Sequence, residues 1–311
     1  MKRQFSCELY APSIQQSLRF NELAIKYLKN IIKYIQNKDD HGLCDYFTEL
    51  LDHLYVDENN SLDRLDKFCI LLGLRIICIG PSFEMQFTCK KTSQPFKYKL
   101  DLVSILQKII NLDLYSNNII TIDDNITVEL GFPTKFTYPD HDEIVFECLS
   151  TVNIKDNSFD IKLLTKNERE NILAVLPSTI SNDIIEYVNE KQKILNDIVF
   201  MDVKSPFNPE DKAVKIQFNA INNTFMEILK GIYGINIDEL YNLIYILTSK
   251  LKFSAEYIEN NMTYAEAIVY ITKYTTELKE QEEAHKKRQT SNHSAAAGTP
   301  VPMQVPYTGI E

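Results

Sequence analysis

The sequence predicts a mostly helical α+β protein, with N-terminal helices, a small antiparallel β-rich middle and a C-terminal helical block. Apolar residues recur every three to four positions over 18–79 and 216–288, the spacing of a helix with one buried face. Over 83–89 and 96–102 the pattern changes to alternation of apolar and polar residues, the spacing of half-buried strands. Gly80-Pro81, Gly131, Pro133, Pro139 and Pro177 fall between these stretches, as punctuation should.

Residues 1–17 hold Pro12 and polar residues without period, so an irregular arm is expected. From Leu18 to Ile35, the spacing of Leu23, Tyr27, Leu28, Ile31, Ile32 and Ile35 predicts an amphipathic helix. A second is expected over Leu43–Tyr55, with Phe47, Leu50, Leu51 and Leu54 on one face. Ser61 is the expected N-cap of a third, Leu62 to about Ile79, because a hydroxyl can accept from an amide left open at a helix start. Apolar around most of its circumference after Phe68, this third helix is the one expected to be buried.

Beyond Gly80-Pro81, Phe83–Cys89 and Phe96–Leu102 read as an antiparallel hairpin, followed by a short helix over Val103–Ile110. Ile119–Ile122 and Ile126–Leu130 flank Asp123-Asp124-Asn125, whose side chains can bond nearby backbone, so a second hairpin is expected. Gly131, Pro133 and Pro139 end regular structure there. Thr165 and Glu168 form a capping box opening a helix to Leu176, Pro177 stops it, and Ile180–Leu195 begins another. Ser205-Pro206-Phe207-Asn208-Pro209 suggests a linker over 205–215, dividing a domain over 18–204 from a helical domain over 216–288. In the latter, helices are expected at Ile216–Leu229, Ile237–Leu251 and Ala255–Glu259. Thr263 and Glu266 start a last, long helix through about Lys287. Residues 289–311 are low in complexity and too poor in apolar residues to fold alone.

Composition excludes several functions. A net charge of -10 on 311 residues opposes general nucleic-acid binding, and Arg19, Lys26, Lys29, Lys33 and Lys38 read as a solvated helix face. Of six cysteines, only Cys44 has histidines close by, His41 and His53, and the short spacing of a zinc site is missing. Without a signal peptide, the thiols suit a reducing compartment, and the expected location at synthesis is the cytoplasm. The richest apolar run, Phe68–Ile79, contains Arg75 and is far short of the roughly 20 residues that span a bilayer. No glycine-rich phosphate loop or nucleophile elbow is present, and His141 lies in the polar stretch Pro139-Asp140-His141-Asp142. The reading is therefore a non-enzymatic protein with no cofactor, no metal, no membrane, no nucleic acid and no small-molecule substrate.

The order of segments supplies more. A Lys-rich helix, an acidic helix, and Leu65-Asp-Lys-Phe-Cys-Ile-Leu-Leu-Gly-Leu-Arg75 come first; strands, Gly131-Phe132-Pro133 and a capped helix ending in Leu176-Pro177 follow. This order resembles the baseplate hub assembly proteins of T4-type contractile-tailed bacteriophages over about Leu18–Leu195. The resemblance implies a role in building the central hub through contacts with other tail or baseplate proteins. Two alternatives stand beside it: a tail assembly chaperone that leaves before the particle is finished, and an enzyme of unrecognised type.

The C-terminal block lies outside the resemblance. Its surplus of tyrosine, a residue with a large contact area and a polar tip, makes it the candidate partner surface. The candidate residues are Leu240, Leu243, Ile244, Leu247, Tyr257, Tyr264, Ile268, Ile271 and Tyr274, weighed against simple packing of the helices on one another.

Overall fold

A computed structural model describes residues 5–57, 61–116, 118–136, 147–196, 199–208, 214–217 and 224–296. His141 and the tail beyond residue 296 lie outside these residues. The chain opens with strands β1 (Ser6–Ala11) and β2 (Gln16–Asn21), paired antiparallel with Leu9 opposite Leu18 and Cys7 opposite Phe20. The irregular arm and a helix starting at Leu18 are thus corrected. Leu9, Ala11, Leu18 and Phe20 alternate into the core, a period of two that the polar residues between them disguise.

Helix α1 (Ile25–Asn37) buries Ile25, Leu28, Ile31 and Ile32, and α2 (Asp40–Leu54) buries Leu43, Phe47, Leu50, Leu51 and Leu54, as their apolar spacing requires. Helix α3 (Arg64–Cys78) is buried around nearly its whole circumference. Its cap is Asp63, not Ser61: Asp63 accepts from the Asp66 amide at 2.9 Å, and Asp66 accepts from the Asp63 amide at 3.2 Å. Hairpin β1–β2 lies on α3, and at Gly73 a Cβ would sit 2.6 Å from Cδ2 of the buried Leu9, so glycine permits the approach.

The expected hairpin follows as β3 (Ser82–Thr88) and β4 (Pro95–Asp101), then α4 (Leu102–Ile110), capped by Asp101. A four-stranded antiparallel meander comes next: β5 (Ile119–Asp123), β6 (Ile126–Leu130), β7 (Leu149–Ile154) and β8 (Asn157–Asp160). Strands β7 and β8 were not anticipated, since their turn is made by Lys155 at φ 54° rather than by glycine. Helices α5 (Lys166–Leu173) and α6 (Ile180–Asn196) cover the meander, and Val128, Leu149, Val152, Ile172, Ile184 and Tyr187 form a core of their own. The Thr165–Glu168 box forms as expected, with Glu168 accepting from the Thr165 amide at 2.8 Å.

The predicted helix at Ile216–Leu229 is another correction. Strand β10 (Val214–Gln217) pairs antiparallel with β9 (Val199–Val203), and helix α7 (Thr224–Tyr233) starts only after it. Val-Lys-Ile-Gln alternates, and a partner strand overrides a helical spacing that short. Helices α8 (Ile237–Ser249), α9 (Ala255–Asn261) and α10 (Tyr264–Ala296) complete the chain. The main core takes side chains from Leu9 through Phe68 to Phe225, Leu240, Leu247, Met262 and Ala267. One core thus draws on both sides of residues 205–215, and Ser205 and Asn208 are themselves buried. The architecture is the predicted one: mostly helical, with small antiparallel sheets.

Candidate interaction surface

Asn236 caps α8 by accepting from the Asp238 amide at 2.9 Å, which fixes the helix start just after the break that opens at Gly234; the break expected at Gly231 does not form, since α7 runs on to Tyr233. Four-residue spacing then splits the helix. Leu240, Leu243 and Leu247 are buried at 0–4% exposure, while Tyr241 and Tyr245 stand out at 48% and 63%. Lys252, at φ 61°, turns the chain, and Ser254 caps α9 by accepting from the Tyr257 amide at 3.1 Å. The Thr263–Glu266 box forms at 3.0 and 3.2 Å, so α10 begins where the sequence placed it.

These turns bring rings together on the outside. Phe253 stacks on Tyr257 at 5.9 Å between centroids and meets Tyr270 edge-on at 5.0 Å, with Ile268 and Val269 exposed beside them. The candidate partner residues therefore divide. Leu240, Leu243 and Leu247 are inner supports, Ile244, Tyr264, Ile271 and Tyr274 are half-buried, and Tyr257 and Ile268 face solvent. Sequence spacing alone selected the inner side of α8, because the leucines form the more regular row. Tyr241, Tyr245 and Tyr270 are outward residues that the spacing did not single out. From about Leu278 α10 is exposed over its described side chains, as a fading apolar stripe predicts.

A second polar concentration lies at the start of α3. Asp66 accepts from the Ser13 amide at 2.9 Å and from the Ser13 hydroxyl, and Tyr115 donates to Asp63 at 2.6 Å. Burial, then the neighbouring Asp63 carboxylate, pushes the Asp66 carboxyl up to about 7. Arg64 donates through its backbone to the Pro133 carbonyl at 2.7 Å and through Nε to the Lys135 carbonyl at 2.6 Å. Lys67 reaches the Thr134 carbonyl at 2.9 Å. At the other end of the helix, Arg75 donates to the carbonyls of Ile232, Gly80 and Ser82. These bonds bind segments of the chain to one another. The two sequence signatures, Leu65–Arg75 and Gly131-Phe132-Pro133, are thus tied together through Arg64, Thr134 and Lys135 beside them.

Among the described residues, no group of three or more His, Cys, Asp or Glu is placed to hold a metal ion. In the same set, no helix is long and apolar enough to cross a membrane.

No curated protein and no solved structure matches this chain. A family match spans residues 2–237, wider than the 18–195 expected from segment order, and stops as α8 begins. It takes in the β1–β2 hairpin, the α3 clamp and the meander, which is most of the chain and all of both signatures. By that match the chain belongs to the family described as T4 bacteriophage base plate protein.

Proposed function

We propose that this protein acts in assembly of the tail baseplate hub through protein contacts and without catalysis, with the aromatic face of α8–α10 as a partner surface. The observation that carries the surface is the cluster of Tyr257 and Tyr270 on the half-buried Phe253: two large rings with polar tips, held by capped helices and left facing solvent. In this reading Tyr257, Tyr264, Ile268, Ile271 and Tyr274 contribute contact area, and Leu240, Leu243 and Leu247 hold the face from within. Ile244 lies half-buried between the two rows. The absence of catalysis is supported by the buried acidic pair, whose Asp66 serves as both capping partner and hairpin anchor, as a structural tie does.

Mass spectrometry of purified particles beside an affinity pull-down from infected cells tests the function. Capture of tail proteins in cells is expected. A fixed copy number in mature particles makes the protein a hub component, and its absence there makes it an assembly factor or chaperone that departs. Absence from particles together with no captured tail protein overturns the proposal.

A further inference from the structure

Helices α1 and α2 flank a groove of about 580 Å³, closed on one side by Glu259 of α9. Along one wall run Lys26, Lys29 and Lys33, so three of the five charges that read as a solvated face in the sequence line one concave site. Seven residues separate the outer two, two helical turns or about 10 Å. Tyr27, Tyr46 and His53 supply the apolar and aromatic lining. The Tyr27 and His53 rings lie 5.7 Å apart across the helices, and the Lys26 ammonium sits 4.7 Å from the Tyr27 centroid.

The middle lysine already holds a carboxylate of this chain. Lys29 Nζ is 2.7 Å from the Glu259 carboxylate, a contact in which the lysine is the more buried partner. Among the described residues, neither Lys26 nor Lys33 is in an ion pair. Lys29 also lies 5.5 Å from the ring of Tyr241, so the groove is continuous with the aromatic face of α8.

We propose that this groove docks an acidic helical segment of another protein, whose carboxylates engage Lys26 and Lys33 as Glu259 engages Lys29. Carboxylates one or two turns apart on a helix match the row, and the tyrosines accept the apolar flank of such a helix. A phosphate backbone fits less well. It requires an extended positive surface, whereas this groove also holds Glu49 and Glu259 on a chain of net charge -10. The inference rests on the assembly reading and deepens it by giving the chemistry of a partner, in a groove that adjoins the aromatic face of α8 and is lined by none of Phe253, Tyr257 and Tyr270.

The test is fluorescence anisotropy of the full chain with a labelled alanine-based helical peptide carrying Glu one and two turns apart. Saturable binding is expected, weakened about tenfold by Lys26→Glu with Lys33→Glu and in the same direction by Lys33→Gln alone. Glu259→Gln should tighten it several-fold by freeing Lys29, about the size of one lost exposed pair. Glu256→Gln, which removes the same charge outside the groove, should not. Thermal melts establish that each variant is folded. The proposal is overturned by absence of saturable binding, or by equal weakening from Lys90→Glu with Lys91→Glu, which alters only net charge. Tighter binding of single-stranded DNA than of the peptide overturns it as well. A negative peptide result leaves the hub reading standing, because particles and pull-downs decide that one separately.

Discussion

Two buried residues of α3 carry more of the fold than their number suggests. Asp66 holds the β1–β2 turn through Ser13 while buried beside Asp63, and burial and that neighbouring carboxylate both disfavour a second negative charge there. Its folded carboxyl titrates near 7 and its unfolded one near 3.8, so the folded state binds the proton more tightly. Stability therefore falls as pH rises from about 4 through 7, the reverse of a salt-bridged carboxylate. Urea denaturation at pH 5 and pH 8 should show a higher midpoint at pH 5, and Asp66→Asn should flatten the difference. A higher wild-type midpoint at pH 8 would contradict the assignment. Arg75 is the counterpart at the other end of the helix. Arg75→Ala removes a buried side chain with three carbonyl acceptors and should cost about 3 kcal/mol, read as a lowered thermal midpoint.

At the scale of elements, α8 separates a core row from an exposed one, and the two predict opposite behaviour. Leu247→Asp places a charge in the main core and should cost about 3–5 kcal/mol, leaving insoluble protein. Tyr257→Ser with Tyr270→Ser should change stability by no more than about 1 kcal/mol while abolishing capture of tail proteins in the pull-down. Retained capture would remove the aromatic face from the functional account. Strong local signals explain which elements were legible in the sequence. The capping boxes at Thr165 and Thr263, the alternation of β3–β4 and the apolar girth of α3 were all readable. What failed depended on distant partners. Strand β10 exists because β9 pairs with it, β1–β2 because α3 lies beneath it, and β7–β8 turn on a lysine in a left-handed conformation. The surface was half legible for the same reason: spacing finds the rows of a helix, and only packing tells which row is inside. Tyr241 and Tyr245, four residues apart, were the signal for the outer row.

For the whole molecule, the family match ends at residue 237 while the main core does not. A chain truncated after Asn236 keeps every matched residue but one. It loses Leu240, Leu243, Leu247, Ile258, Met262 and Ala267 from the core. We expect it to lack a cooperative thermal transition and to expose apolar surface to a dye such as ANS. A normal melt would show that the matched segment folds alone and that α8–α10 are an appendage. Deletion of the C-terminal block is consequently a poor probe of partner binding, and substitutions on its outer row are the better one.

The amide of Ile25, at the first turn of α1, has no side-chain cap and donates instead to the carbonyl of Met262, 237 residues further along the chain, at 3.0 Å. The first helix made is thus finished by a segment that is synthesised much later. At about 5–20 residues per second, the apolar faces of α1, α2 and α3 wait on the order of ten seconds or more for their cover. Fold completion is coupled to synthesis of α9 and the start of α10 rather than to synthesis of the family segment alone, so a product terminated before Met262 would leave those faces open to proteolysis.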